Sequence, residues 1–153
     1  MNVLLRPTSK GTVRLKSGDP NDPIICDPNI LSSPGEWAIL RASIRLSMRL
    51  AEQMRARGYQ MLDSSVPASD SDADLDVFIT KWARTTYHYS STCRMAPESD
   101  EFPGVVDDEL RVHGVQNLRI ADTSIFPQIL ATHLQAPAVM VAEKCAELIK
   151  GAV

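Results

Sequence analysis

The chain has 153 residues, with 16 Lys and Arg against 19 Asp and Glu for a formal net charge of −3. It is 44% hydrophobic, 23% charged and 5% aromatic, a composition that supports one modest core and about one domain. The basic residues are outnumbered and scattered, which argues against nucleic acid as a partner. No apolar run approaches the roughly 20 residues of a membrane span, and Arg6, Pro7 and Lys10 break the opening as a signal peptide.

In chain order, Gly11 to Lys16 alternates polar and apolar residues and predicts a half-buried strand. The turn residues of 18–23 follow, and Ile24 to Cys26 predicts a second short strand closed by Asp27-Pro28. Two such strands cannot stand alone in water and call for a larger sheet. Ser33-Pro34-Gly35-Glu36 reads as a helix start, with Ser33 and Glu36 forming a capping box and Pro34 placed where no donor is needed. Trp37, Leu40, Ile44, Met48 and Ala51 make the apolar stripe of this helix. Arg41, Arg45 and Arg49 lie on another face, read as solvated, and the helix is expected to end at Arg57 with Gly58 as its left-handed cap.

Residues 63–74 are polar, acidic and Ser-rich, a surface loop running into an acidic helix N-terminus. The Asp70-x-Asp72-x-Asp74 pattern lacks the central Gly and distal Glu of a calcium loop. Leu75, Phe78, Ile79 and Trp82 then predict a helix ending near Thr86. From Tyr87 to Gln128 the pattern is loop and short strand, with a hairpin-like turn at 111–115 and a buried strand, Leu118 to Ala121, ending on Asp122. Ala138, Val141, Ala142, Cys145, Leu148 and Ile149 recur at helical spacing to Gly151, with Pro137 in the first turn of that helix.

Of the three histidines, His88 lies in a loop too polar to be a core strand. His133 immediately precedes a helix N-terminus, whose free N–H groups favour a bound anion. His113 falls in a surface-like turn and reads as solvated. Either of the first two could serve as a base or hydrogen-bond partner. Zinc held by His88, Cys93 and His133 is a rival reading, without a Cys-x-x-Cys or His-x-x-x-His pair to support it. A serine hydrolase is another, but Gly-x-Ser-x-Gly is absent. Cys93, between His88 and Arg94, is a third candidate, as a thiolate nucleophile. The odd count of three cysteines, Cys26, Cys93 and Cys145, argues against a disulfide framework.

Several separated blocks resemble, in one order, the C-terminal region of the glucose-methanol-choline (GMC) flavin oxidoreductases. They are Leu5 to Leu15, Asp19-Pro20, Asp27 to Leu31, His88 to Met95, Gly104 to Asp107, Leu110 to Pro127, and His133. The resemblance runs from about residue 4 to 150; the acidic loop at 63–74 matches nothing in particular. It implies an α+β fold, in which an antiparallel sheet of the substrate domain carries flanking helices. A C-terminal strand and helix would pack on an FAD domain that this chain lacks. Residues 1–104 would then be substrate-domain elements ending in the histidine loop, and 105–153 the segment returning to the flavin domain.

The same resemblance places His88 as the base that takes the hydroxyl proton while hydride passes from carbon to flavin. It places His133 as the partner that hydrogen-bonds the substrate oxygen. Asp122 would face the ribityl and phosphate region of FAD, and the backbone at Gln135 and Ala136 the flavin pyrimidine edge. The residue-level alternatives are a turn cap for Asp122 and a plain helix start for Gln135. No metal is implied, and the cysteines are expected to be dispensable.

Three departures stand out. Ser91 and Ala96 replace glycines usual in the family, and Leu134 stands where many relatives have Pro or Thr. There is also no Gly-x-Gly-x-x-Gly phosphate loop, so the chain by itself is expected not to retain FAD. It is read as either a fragment or a truncated gene product, completed by the remainder of a GMC chain. The expected function is the substrate-binding and catalytic part of an FAD-dependent oxidoreductase acting on CH–OH groups of alcohols or sugars. A hydroxynitrile lyase on the same scaffold is one alternative. A non-catalytic module pairing through an open sheet edge is another. Compartment is not indicated.

Overall fold

A computed structural model describes residues 2–151. The elements are strands β1 (Thr12–Arg14) and β2 (Ile25–Asp27), helices α1 (Pro34–Ala56) and α2 (Asp72–Trp82), a 3-10 turn at Thr123–Ile125, and helix α3 (Gln135–Lys150). The class is α+β, with a two-stranded antiparallel sheet and three helices. Strand β1 is shorter than the alternation over Gly11 to Lys16 suggests, β2 lies one residue on from the expected Ile24 to Cys26, and both are exposed throughout, as a two-stranded unit by itself leaves them. Among the described residues, no helix is long and apolar enough to cross a membrane.

Instead of one core, the chain forms two compact units, because its apolar residues segregate along the sequence. The first comprises the chain up to Gly11 with Asp27–Thr85. Its core is Ile44, Leu75 and Ile79, packed with Trp37, Leu40, Met48 and Phe78. The second comprises Thr12–Cys26 and the chain from Thr86 onward. Its core gathers Val106, Leu110, Ile125, Phe126, Leu134, Val141 and Cys145.

In the first unit, α1 stops as the sequence predicts. Gly58 takes a φ of 87°, Tyr59 N–H donates to the Met54 carbonyl and Gly58 N–H to the Arg55 carbonyl. This is the paired closure that a left-handed glycine allows. The N-terminus of α1 differs from expectation. Ser33 makes no side-chain cap: the Glu36 N–H donates to the Ser33 carbonyl instead, and the side chain of Glu36, a residue only 2% exposed, is turned to the N-terminal segment. Its Oε1 accepts from the Thr8 and Ser9 N–H groups at 2.6 and 2.7 Å, and Oε2 from the Ser9 hydroxyl at 2.5 Å. Ser9 Oγ in turn accepts from Ser33 N–H. Burial pushes the Glu36 carboxyl up, but the Ser9 and Thr8 hydrogen bonds outweigh it and hold the group below its ordinary value.

The arginine face of α1 is also not merely solvated. Arg41 grips Asp76 with two hydrogen bonds, Nε–Oδ1 at 2.6 Å and Nη2–Oδ2 at 2.7 Å. Arg45 reaches Asp72 and the Asp70 carbonyl. The acidic start of α2, capped by Ser71 Oγ accepting from Asp74 N–H, is thereby tied to α1 by fork-shaped pairing. Helix α2 ends at Trp82, earlier than Thr86, with Ala83 already extended; the β-branched pair Thr85-Thr86 does not prolong it.

In the second unit, the expected strand at 118–121 is reduced to a bridge between Arg111 and Arg119. Val112 N–H donates to the Leu118 carbonyl and Ile120 N–H to the Leu110 carbonyl. Leu110 and Asn117 at φ of 66° and 60° turn the chain out of extended geometry on either side, so the ladder cannot lengthen. His113 is not simply solvated. It is half-buried, with Nε2 2.9 Å from the Ala96 carbonyl.

Candidate active site

The site is built in the second unit from two segments docked on the 3-10 turn. The chain from Tyr89 to Met95 runs alongside Thr123–Ile125 in a series of backbone hydrogen bonds. Met95 N–H donates to the Ile125 carbonyl at 2.8 Å, Cys93 N–H to that of Ser124 at 3.0 Å, and Ser91 N–H to that of Thr123 at 3.3 Å. The Thr123 hydroxyl then donates to the Tyr89 carbonyl at 3.0 Å. Asp122 caps the turn, its Oδ1 accepting from Ser124 N–H at 2.7 Å, as Asp does at such starts.

Two residues of this loop lie in the left-handed region, Tyr87 at φ 61° and Ser91 at φ 69°. A non-glycine side chain there carries backbone strain, and glycine at position 91 would remove it. Ala96 is buried beside Gly104, whose missing β-carbon is required. A methyl group there would collide with the Ala96 carbonyl oxygen and nitrogen.

The second segment is the approach to α3. Leu134 and Pro137 are buried, fixing the helix start, while His133, Gln135 and Ala136 remain exposed. Helix α3 has no side-chain cap. Its first helical bond runs from Ala138 N–H to the Leu134 carbonyl, so the N–H groups of Gln135 and Ala136 have no intrahelical partner.

These two segments bring His88 and His133 together across 45 residues. His88 Nε2 lies 3.1 Å from His133 Nδ1, and the rings meet edge to face, centroids 4.9 Å apart at 89°. One nitrogen must donate and the other accept, so the arrangement requires one N–H and one lone pair between the two atoms. Cys93 is half-buried and Cys145 lies in the core. Among the described residues no group of three His, Cys, Asp or Glu side chains is arranged to hold a metal ion. Of the residues singled out from sequence, the structure joins His88 and His133. It puts Gln135 and Ala136 at the adjoining helix start and Asp122 at the turn that carries both segments. Thr123 was missed. Its signal is the Asp-Thr-Ser run, in which a hydroxyl follows a capping carboxylate.

The family model described as GMC oxidoreductase matches residues 7–142. The chain therefore belongs to the GMC oxidoreductase family and corresponds to its C-terminal domain; FAD is the cofactor of that family. The mitochondrial choline dehydrogenase of Mus musculus is 39% identical over 150 residues, covering 96% of this chain and 25% of the relative. Pyridoxine 4-oxidase from Mesorbium loti superposes with a TM-score of 0.80 at 30% identity, over 94% of this chain and 28% of that one. An FAD-dependent oxidoreductase from Chaetomium thermophilum gives 0.84 at 28% identity, over 97% and 26%. The chain spans about a quarter of the length of these proteins.

Proposed function

We propose that this chain is the substrate-binding and catalytic part of an FAD-dependent oxidoreductase acting on CH–OH groups of alcohols or sugars. The carrying observation is the 3.1 Å approach of His88 Nε2 to His133 Nδ1 in a chain of the GMC family. Choline and pyridoxine, named in two of the relatives, both carry hydroxyl groups.

An alcohol oxygen entering between the two ring nitrogens replaces the bond they make to each other. With His133 Nδ1–H as donor, His88 Nε2 holds a free lone pair. The substrate O–H donates to that lone pair while its oxygen accepts from His133. His88 then takes the hydroxyl proton at Nε2, and His133 keeps the oxygen in place as negative charge develops on it. FAD, when bound, supplies the acceptor for the hydride leaving the substrate carbon.

The donor set suits a flavin at the two places assigned to it. The N–H groups of the exposed residues Gln135 and Ala136, with no side-chain cap at this helix start, offer hydrogen bonds and the positive end of α3 to an electron-rich pyrimidine edge. Asp122 spends one carboxylate oxygen on its cap, leaving the other for a ribityl hydroxyl. In the whole enzyme, residues 1–104 belong to the substrate domain and 105–153 return to the flavin domain. The exposed Val139 and Met140 of α3 are the side chains to be covered there.

The test is anaerobic stopped-flow reduction of the flavin in the intact enzyme carrying this chain, with choline and a panel of primary alcohols and sugars. His88→Ala should slow flavin reduction by about 10²–10⁴-fold, the range for a lost general base. His133→Asn should cost less, since Asn still offers a donor and an acceptor. An unchanged rate in His88→Ala refutes the assignment. A flavin that never bleaches while a hydroxynitrile is cleaved favours the lyase instead.

A further inference from the structure

The His88 loop is joined to the 3-10 turn by four successive rungs, and they are not equivalent. At Met95, Cys93 and Ser91 the loop's own N–H donates to a backbone carbonyl of the turn, so these rungs are indifferent to the side chains involved. The fourth runs the other way: the Thr123 side chain donates to the carbonyl of Tyr89, the residue directly following His88. This rung carries the pairing two residues closer to His88 than backbone bonding does, and it depends on a hydroxyl.

Thr123 is well suited to act as a fixed reference. Its β-branch restricts χ1, Asp122 caps the turn beneath it, and the neighbouring Ile125 and Phe126 are 2% and 5% exposed in the core. Leu134, the residue after His133, is buried in that same cluster. Both imidazoles are thus referred to one turn, His133 through apolar packing and His88 through the Thr123 hydroxyl. The strained φ of Tyr87 and Ser91 adds to the need, since a loop holding left-handed non-glycine residues relaxes when a restraint is removed.

We propose that Thr123 is a positioning residue, whose hydroxyl bond to the Tyr89 carbonyl sets His88 Nε2 at hydrogen-bonding distance from His133 Nδ1. The assignment rests on the paired-histidine reading above. It ascribes no contact with substrate or flavin to Thr123.

The test uses the 153-residue chain with ¹⁵N-labelled histidine and reads the through-hydrogen-bond ¹⁵N–¹⁵N coupling between His88 Nε2 and His133 Nδ1. The backbone amide spectrum reports folding alongside. The parent should show the coupling, Thr123→Val should lose it with the amide spectrum otherwise preserved, and Thr123→Ser, which keeps the hydroxyl, should retain it. Should the valine variant fail to fold, Thr123→Ala carries the same comparison. Coupling that persists in Thr123→Val or Thr123→Ala overturns the role of Thr123 while leaving the histidine pair intact. Loss in Thr123→Ser equal to that in the valine variant also overturns it, because the hydroxyl is then not what matters. A parent chain without coupling overturns the pairing of the rings, and the proposed site geometry with it.

Discussion

Glu36→Ala removes a buried carboxylate whose partners are all on one short segment, so its cost can be worked from the contacts. Three bonds are short: Thr8 N–H at 2.6 Å, Ser9 N–H at 2.7 Å and the Ser9 hydroxyl at 2.5 Å. Hydrogen bonds to a charged group contribute about 1.5–3 kcal/mol each. Against that gross gain stands the desolvation of the carboxylate, several kcal/mol for a buried ion. Thr8 is exposed, so water recovers its N–H after substitution, whereas half-buried Ser9 is left with less. The expected net loss is about 2–4 kcal/mol for Glu36→Ala, and about 1–2 for Glu36→Gln, whose amide oxygen can still accept the two backbone donors.

The acid dependence has a definite sign. The folded Glu36 carboxyl is held below its ordinary 4.5, so its stabilisation is fully present above that value and is lost as pH falls through the folded one. Urea unfolding followed by tryptophan fluorescence is the assay, since Trp37 packs against this unit's core and donates to the Leu31 carbonyl. The gap between wild type and Glu36→Gln should be largest at pH 7 and shrink towards pH 3. A Glu36→Ala loss under about 0.5 kcal/mol, the scale of an ordinary surface change, or a gap that does not vary with pH, refutes the reasoning.

Ser91→Gly should stabilise the second unit by about 1 kcal/mol, because the left-handed strain of 1–2 kcal/mol exceeds the extra chain entropy glycine loses on folding. A melting temperature raised by about 2–4 °C, the shift that 1 kcal/mol gives at this chain length, is the expected reading, and an unchanged or lower one counts against the strain. Gly104→Ala should do the opposite, costing about 1–3 kcal/mol as the new methyl forces the Ala96 backbone aside. Circular-dichroism melts resolve both, and a neutral Gly104→Ala means the Ala96 contact is slack.

Local chemistry was readable wherever one short segment settles its own structure. The close of α1 at Gly58 needs only a glycine after a helical stripe, and the acidic start of α2 needs only Asp72 and Asp74 in its own first turn. The start of α1 was misread because Ser33 and Glu36 satisfy the local capping rule, while the donors that win Glu36 come from Thr8 and Ser9, some 27 residues away. Arg41 and Arg45 failed for the same reason in reverse. Nothing within α1 shows that the acidic run at 70–76 will fold back to meet them, although the charge complementarity was there to be seen. The strand expected at 118–121 rested on apolar alternation alone. Positive φ at Leu110, which does not advertise it, and at Asn117, a residue that tolerates the left-handed region, overrides that pattern.

The histidine pair is the clearest case of information that spacing cannot carry. No periodicity links positions 88 and 133, and their proximity follows only once both segments are docked on Thr123–Ile125. The resemblance named both residues without explaining what brings them together. The explanation lies in residues that no catalytic motif would select. Asp122 and Thr123 build the turn, Ile125, Phe126 and Leu134 bury it against α3, and the rungs from Met95 to Tyr89 carry the loop along it. Substitutions in that frame should therefore change the separation of the two imidazoles while removing neither ring. Lost flavin reduction in a Thr123 variant would accordingly mark a shifted His88, a different failure from the absent base of His88→Ala.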